Sequence, residues 1–172
     1  MEAPRETRDE AIVYPDGRLI WRGQSLRAVL GKGGVKVHKE EGDGATPAGM
    51  LPLRRVLYRA GRVPPPRCAV PVEPLAGTDG WCDDPLDRDY NRMVRLPHDG
   101  RHEGLWRRDA VYDVIGVLGC NDRPAVNGLG SAIFLHVARP DGAPTEGCVA
   151  LPLSDLVRLL AEGLTALRVV TH

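Results

Sequence analysis

The chain has 172 residues, of which 23 are basic and 23 acidic, so its formal net charge is zero. This length fits one ordinary domain with a sizeable core, whereas the balanced charge argues against nucleic-acid binding through a phosphate-neutralising surface. No apolar run is long enough for a membrane-spanning helix, so membrane insertion is not expected. The opening residues, MEAPRETRDEAIVY, are charged and lack the apolar stretch of a signal peptide.

The first third of the chain is predicted to form strands. In AIVYPDGRLIW, apolar residues flank Pro15-Asp16-Gly17, which is typical of a β-hairpin turn. The segment SLRAVLGKGGV indicates a short strand that runs into a glycine-rich loop. MLPLRRVLY indicates another strand, with the odd-numbered residues from Leu51 to Leu57 on one face, because side chains alternate along a strand.

Residues 60–108 are predicted to be a long, irregular and polar stretch, which in a compact domain is often a functional loop. Two interpretations are open for GTDGWCDDPLDRDYN within it. Either Trp81, Tyr90 and Asn91 contact a substrate, which we favour, or the rings are packed down as anchors of a solvated loop. Its aspartates lack the EF-hand pattern, and no cysteines form a Cys-x-x-Cys pair, so no metal site is expected.

The second half of the chain returns to regular structure. AVYDVIGVLG and SAIFLHVA indicate buried strands, and ALRVVTH indicates a final strand. Before that strand, Ser154 as N-cap, Asp155 in the first turn and Gly163 as the stop predict one helix. The fold class is therefore mainly β, with one helix near the C-terminus.

Asn121 and Asp122 follow the first of these buried strands. Polar residues at a strand end often reach an active site, where they would hydrogen-bond a substrate backbone. The alternative is that they make an Asx-turn and have only a local role.

The segment HVARPDGAPTEGC contains a histidine and a cysteine joined by a turn-rich connector. Its prolines and Gly142 force turns, so the chain can reverse and bring Cys148 back beside His136. An imidazole in that position would take the thiol proton and leave a nucleophilic thiolate, and amides at Gly147 and Cys148 could face an oxyanion. A buried structural histidine and an unrelated core thiol are the alternative that the spacing leaves open.

The segment HVARPDGAPTEGCVAL resembles the catalytic signature of the L,D-transpeptidases, the YkuD family. That signature is a histidine, a connector and Ser/Thr-x-Gly-Cys followed by an apolar residue. Here those positions are His136, Thr145, Gly147, Cys148 and Val149. Upstream, GDGATPAGMLPL is similar to the Thr-Pro-x-Gly segment of the family, and the whole resemblance covers residues 31–160.

The resemblance implies a β-sandwich or barrel-like fold and a single catalytic domain over residues 1–172. It implies that Cys148 is the nucleophile, that His136 is the general base, and that the carbonyl of Val137 orients the imidazole. Backbone amides around Gly147 would form the oxyanion hole.

The resemblance also implies the substrate and the partners. Thr145 and Glu146 would contact peptidoglycan stem peptides of the meso-diaminopimelate type, and carbapenems would acylate the nucleophile; no cofactor is expected. Such a substrate would place the protein in the periplasm or cell envelope, whereas the N-terminal sequence shows no signal peptide and leaves the cytoplasm open. Two alternatives remain for the function: an L,D-carboxypeptidase or amidase on muropeptides, and a non-catalytic peptidoglycan-binding module.

Two positions depart from the pattern of the family. Glu146 stands where many members have histidine, and Ala150 stands where many have arginine or asparagine. An arginine at the second position can clamp a substrate carboxylate through paired hydrogen bonds. We therefore hypothesise a divergent branch that uses a donor residue other than the usual third position of the stem, such as its first L-residue.

Overall fold

The computed structural model describes residues 7–172, and the fold of this part of the chain is mainly β, as predicted. It contains fourteen strands and one helix. In chain order these are β1 (Glu10–Val13), β2 (Arg18–Trp21), β3 (Gln24–Arg27), β4 (Val35–Lys36), β5 (Thr46–Pro47), β6 (Gly49–Tyr58), β7 (Val72–Pro74), β8 (Asp79–Cys82), β9 (Met93–Arg95), β10 (His102–Gly104), β11 (Val114–Leu118), β12 (Phe134–Val137), β13 (Val149–Leu151), α1 (Leu153–Ala161) and β14 (Ala166–Val169).

Nine strands form one sheet that nearly closes into a barrel. Its order is β13-β12-β11-β6-β14-β1-β2-β3, with β7 paired to β6. The two ends of this order approach each other, because Val29, just after β3, makes an antiparallel bridge to Ala150 of β13. A strand at the edge of a sheet leaves backbone groups unpaired, so this bridge protects both edges.

The predicted hairpin and helix are present. β1 and β2 pair in antiparallel fashion, and Gly17 in their turn has a φ of 89°. α1 presents Leu156, Leu159 and Leu160 to the core, as expected for one face of a helix. The prediction of Ser154 as N-cap was wrong: the helix already begins at Leu153, and Pro152 precedes it without a side-chain cap.

The side chains of the long strand β6 do not alternate along its whole length as predicted. Its register against β11 shifts between Val117 and Leu118, which pair with Arg55 and Leu53, so one extra residue bulges out of β6. Leu53 therefore lies in the larger core together with Val56, whereas Leu57 lies in a second core. The odd-numbered residues do not share one face, because the bulge reverses the alternation.

Residues 60–108 are more ordered than the sequence predicted. They contain a separate three-stranded sheet in the order β10-β8-β9. Trp81 of this small sheet packs edge-on against Phe134 of β12, with the ring centroids 5.0 Å apart. The small sheet thereby covers the face of the barrel on which the candidate site lies.

Candidate active site

Strands β12 and β13 bring the predicted histidine and cysteine to one face of the sheet. The two strands are parallel, with Leu135 opposite Val149 and His136 opposite Ala150. Because side chains alternate along a strand, Cys148, just before β13, lies on the same face as His136. Both residues line a cavity of about 610 Å³. The connector between His136 and Cys148 therefore reverses the chain and places the thiol beside the strand that carries the histidine.

His136 is buried, with 6% of its surface exposed. Its Nδ1 lies 3.0 Å from the carbonyl oxygen of Val137, which is the contact that the resemblance implied. When Nδ1–H donates to that carbonyl, Nε2 is the basic nitrogen. Burial lowers the pKa of His136 below its ordinary value of 6.5, and the nearby guanidinium groups of Arg107 and Arg139 lower it further. The imidazole is therefore neutral at neutral pH and able to accept a proton.

The thiol of Cys148 is held by backbone groups. Its Sγ donates to the carbonyl oxygen of Ala132 at 3.2 Å and accepts from the N–H of Phe134 at 3.4 Å. Burial raises the pKa of Cys148 to about 12. No hydrogen bond joins Sγ to His136 among residues 7–172. The structure thus holds the sulfur as a protonated thiol in the same cavity as its candidate base.

Two threonines fix the backbone of Cys148. The hydroxyl of Thr145 donates to the carbonyl oxygen of Cys148 at 2.8 Å, and that of Thr46 donates to the same oxygen at 3.3 Å. Thr46 is fully buried, and its hydroxyl also accepts the N–H of Gly31. The upstream Thr-Pro-x-Gly segment therefore supports the cysteine loop directly. Substrate contact by Thr145 stays a prediction, since its hydroxyl is engaged within the loop.

Only glycine fits at position 147. Its φ is +133°, and a Cβ there would lie 2.7 Å from the carbonyl oxygen of Ala45. The N–H of Gly147 donates to the hydroxyl of Thr145 at 3.1 Å. The N–H groups of Glu146 and Cys148, by contrast, donate to none of the residues that the structure describes. The oxyanion role of Gly147 stays a prediction, and the two N–H groups beside it are the ones available to an oxyanion.

Glu146 lies at the mouth of the cavity with an exposed side chain. Its carboxylate pairs with the Nζ of Lys32 at 2.8 Å. An ion pair between two side chains as exposed as these contributes little to stability. Contact of Glu146 with a substrate stays a prediction.

Trp81, Tyr90 and Asn91 are buried behind the cavity wall and do not line the cavity. The Oδ1 of Asn91 accepts the indole N–H of Trp81 and the backbone N–H of Ala132, each at 3.0 Å. Ala132 is the residue whose carbonyl holds the thiol. The hydroxyl of Tyr90 donates to Glu41, and burial raises its pKa to about 12. In this structure these residues position the wall, and their contact with a substrate stays a prediction.

Asn121 and Asp122 also lie outside the cavity. The side chain of Asn121 accepts the N–H of Val126 and donates to the carbonyl of Gly130, so it closes the loop that follows β11. Asp122 pairs with Arg54 at 3.0 Å. This arrangement fits the local, Asx-type interpretation, and substrate contact stays a prediction.

The charged wall of the cavity was not predicted from the sequence. Glu103, Arg107 and Tyr112 line it from the small sheet and the segment that follows, and Arg139 lines it from the connector. The hydroxyl of Tyr112 donates to the carboxylate of Glu103. The segment HEGLWRRDAVY shows charged and aromatic residues before a buried strand, but nothing in its spacing indicates that they face Cys148.

One group of side chains in the described residues could hold a metal ion. The ligand atoms of Cys82, Asp87 and His98 lie within 4.8 Å of one another, outside the cavity. Nε2 of His98 and Oδ2 of Asp87 are 3.1 Å apart, which is an ordinary hydrogen bond. The expectation that the protein has no metal site stays a prediction. All four cysteines are free thiols in the structure.

A neutral imidazole and a thiol in one cavity are the groups of an acyl-transfer enzyme with a cysteine nucleophile. Comparison with protein families agrees: the family described as L,D-transpeptidase catalytic domain, YkuD, matches residues 5–170. The chain therefore belongs to this family, and the resemblance stated from its motifs is confirmed. Comparisons with curated proteins and with solved structures found no match.

Within the described residues, no helix has the length and apolarity needed to cross a bilayer.

Proposed function

We propose that the protein cross-links peptidoglycan stem peptides by acyl transfer through Cys148, as an L,D-transpeptidase. One observation carries this proposal: a neutral imidazole, oriented by the carbonyl of Val137, shares a cavity with a thiol whose backbone is fixed by two threonines. Family membership supports the same reaction class.

The first half of the reaction makes a thioester. Rotation of the Cys148 side chain away from Ala132 lets Nε2 of His136 take the thiol proton as sulfur attacks a carbonyl carbon of the donor stem. The N–H groups of Glu146 and Cys148 stabilise the oxyanion that forms. The carbon–nitrogen bond then breaks, and the leaving amine takes the proton from the imidazolium of His136.

The second half returns the enzyme to its starting state. The amine of an acceptor stem attacks the thioester carbonyl, loses a proton and displaces the sulfur, which recovers its proton from His136. Water in place of the amine would give a shortened monomer, which is the carboxypeptidase alternative. A cell-envelope location follows from this substrate as part of the proposal.

The cavity suits a peptide that carries carboxylates and an amine. Its volume of about 610 Å³ lies within the range of small-ligand sites. Arg101, Arg107 and Arg139 line it and can bind substrate carboxylates. Ala150 also lines it, at the position where an arginine would otherwise reach the donor. We retain the proposal that the donor is a residue other than the third one of the stem, such as its first L-residue.

Intact mass spectrometry with a purified disaccharide-tetrapeptide tests this function. The parent should form a thioester adduct and a dimeric product, and Cys148→Ala should form neither. Cys68→Ala, which removes a half-buried thiol outside the cavity, is the matched control and should behave like the parent.

The products separate the alternatives. Fragmentation of the dimer identifies the donor residue, and links only between third-position residues would refute the donor proposal. Shortened monomer alone would establish the carboxypeptidase. Binding without any turnover, unchanged in Cys148→Ala, would establish the non-catalytic module. A mass shift of the parent with a carbapenem, absent in Cys148→Ala, would confirm that the thiol is acylated.

A further inference from the structure

Among residues 7–172, four carboxylates line the cavity, and one of them forms no ion pair with a basic side chain. Glu146 pairs with Lys32, while Glu41 and Asp83 both pair with Arg101. The fourth is Glu103.

Among residues 7–172, Glu103 forms no ion pair with a lysine, arginine or histidine; its hydrogen-bond partner is the hydroxyl of Tyr112. A partly buried carboxylate without an ion-pair partner is costly to maintain, because burial penalises its charge. The guanidinium of Arg107 acts on this charge at longer range but is itself paired with Asp109, so the carboxylate stays available to a cation of the substrate.

The position of Glu103 places this negative charge next to the reacting groups. Glu103 lies on β10 opposite Trp81 of β8, and Trp81 packs on Phe134 of β12. The ring of Tyr112 contacts both Phe134 and His136, with centroids 5.8 Å and 5.5 Å away. A carboxylate–phenol pair thus stands beside the thiol–imidazole pair in the same cavity.

This placement does not assist the first half of the reaction. The charge of Glu103 contributes to the raised pKa values of Cys148 and Tyr112, after the larger effect of burial on each. A negative charge beside a nucleophilic sulfur opposes formation of the thiolate. The carboxylate is thus explained better by the second half of the reaction, in which an amine must enter and lose a proton.

We propose that Glu103 is the catalytic residue of the acceptor subsite: it binds the primary ammonium group of the acceptor and accepts its proton before attack on the thioester. This inference rests on the proposed acyl transfer. Tyr112 is a positioning residue, because its hydroxyl donates to the carboxylate while its ring stays packed between Phe134 and His136.

The proton balance is complete without any further reactant. The ammonium gives one proton to Glu103 and becomes a neutral amine, which attacks the thioester carbonyl carbon. The new carbon–nitrogen bond forms, its nitrogen gives a second proton to His136, and the carbon–sulfur bond breaks. The imidazolium then protonates the sulfur, and Glu103 releases its proton to solvent. Burial raises the pKa of Glu103, which makes its carboxylate a stronger base.

The two halves of the reaction can be measured separately in Glu103→Gln, which keeps the shape of the side chain and removes its charge. With the disaccharide-tetrapeptide as both donor and acceptor, thioester formation should be as fast as in the parent or faster. Dimer formation should fall by about a hundredfold, and hydrolysed monomer should increase relative to dimer. Glu73→Gln, an exposed carboxylate of β7 outside the cavity, is the charge-matched control and should leave the ratio unchanged.

Hydroxylamine provides a rescue test, since it is a nucleophile that is neutral at neutral pH. It should resolve the thioester of Glu103→Gln as fast as that of the parent. Tyr112→Phe keeps the ring and removes the hydroxyl, so it should shift the product ratio in the same direction by a smaller factor. If Glu103→Gln fails to fold, the product ratio of Tyr112→Phe tests the inference in its place.

An unchanged ratio of dimer to hydrolysed monomer in Glu103→Gln, or in Tyr112→Phe where that variant decides, would overturn the inference. So would an equal loss of hydroxylamine and stem-peptide transfer. Failure of the proposed function gives a different result, because the parent itself would then form no dimer.

Discussion

The two faces of the segment around β12 meet very different surroundings. Ile133, Leu135 and Val137 enter the larger core, which is almost entirely aliphatic and includes the apolar face of α1. Phe134 enters the smaller core with three side chains that carry polar atoms: Trp81, Tyr112 and Cys148. His136 shares that face and lines the cavity. One short backbone segment therefore supplies stability on one side and chemistry on the other.

The contrast shows how the fold accommodates a site in which ionisable groups are buried at a cost in free energy. The aliphatic face buries only groups that gain from leaving water. The cavity face buries a thiol, an imidazole and a carboxylate, and burial moves the pKa of each in the direction of its neutral form. The larger core and the hydrogen bonds to Cys148 offset that cost.

The largest expected effect is on the cavity face. His136→Gln should reduce thioester formation by about 10²- to 10⁴-fold, because it removes the general base. The thermal unfolding midpoint should change little, since the variant keeps a polar side chain of similar size. Rapid-mixing mass spectrometry and a melting curve measure the two quantities. Acylation at the parental rate would show that the imidazole is not the base.

The reactivity of the thiol should differ about a thousandfold between the folded and the unfolded chain. Burial raises the pKa of Cys148 from 9.0 to about 12, so at neutral pH the folded thiolate fraction is lower by that factor. Alkylation of folded Cys148 by iodoacetamide should keep rising about tenfold per pH unit above pH 9.0. Peptide mapping gives the rate, and circular dichroism confirms that the protein stays folded. A plateau near pH 9.0 would contradict a buried thiol.

The fall in activity at acid pH should report the lowered pKa of His136, which is opposite in direction to the raised pKa of Cys148. Because burial lowers the pKa of His136, the imidazole stays neutral as pH falls to 6.5 and loses its basicity only below that value. The rate of thioester formation should therefore be constant at pH 6.5 and above until another group titrates. A decline that is already half complete at pH 6.5 would show an imidazole with an ordinary pKa.

On the aliphatic face the effect should be on stability. Leu135→Ala should lower the free energy of unfolding by about 2–5 kcal/mol, because Leu135 is fully buried and its loss leaves a cavity. The rate of thioester formation by the folded fraction should change little, although the neighbouring residue is His136. Urea titration measures the first quantity. A large loss of rate in fully folded protein would show that the two faces are coupled.

The smallest effect is expected at the hydrogen bonds that fix the backbone of Cys148. Thr46→Val removes the hydroxyl between the N–H of Gly31 and the carbonyl of Cys148, and should cost about 1–3 kcal/mol of stability. Thr165→Val removes an exposed hydroxyl bonded to Asp9 and should cost less than about 0.5 kcal/mol. Equal costs for the two variants would show that the buried bridge contributes nothing beyond an ordinary surface hydrogen bond.

Local chemistry along the chain was enough to predict much of the fold, whereas the roles predicted for His136 and Cys148 came from the resemblance to the family. The turn at Pro15-Asp16-Gly17 requires little context, because Gly17 alone supplies the positive φ. The buried strands were visible as apolar runs, and the motif around Cys148 indicated the family. The helix was predicted from Ser154, Asp155 and Gly163, but it begins at Leu153, one residue before the predicted cap.

What the sequence by itself determined is the mainly β fold, the one helix, the family and the return of Cys148 to the strand that carries His136. Only the tertiary structure decided that β6 carries a bulge, that Asn91 supports Ala132 and that Glu103 lines the same cavity as Cys148. These facts depend on contacts between segments far apart in the chain, such as β10 and the residues before β11. Burial and the pKa shifts that follow from it exist only once those segments have packed together, so no local pattern records them.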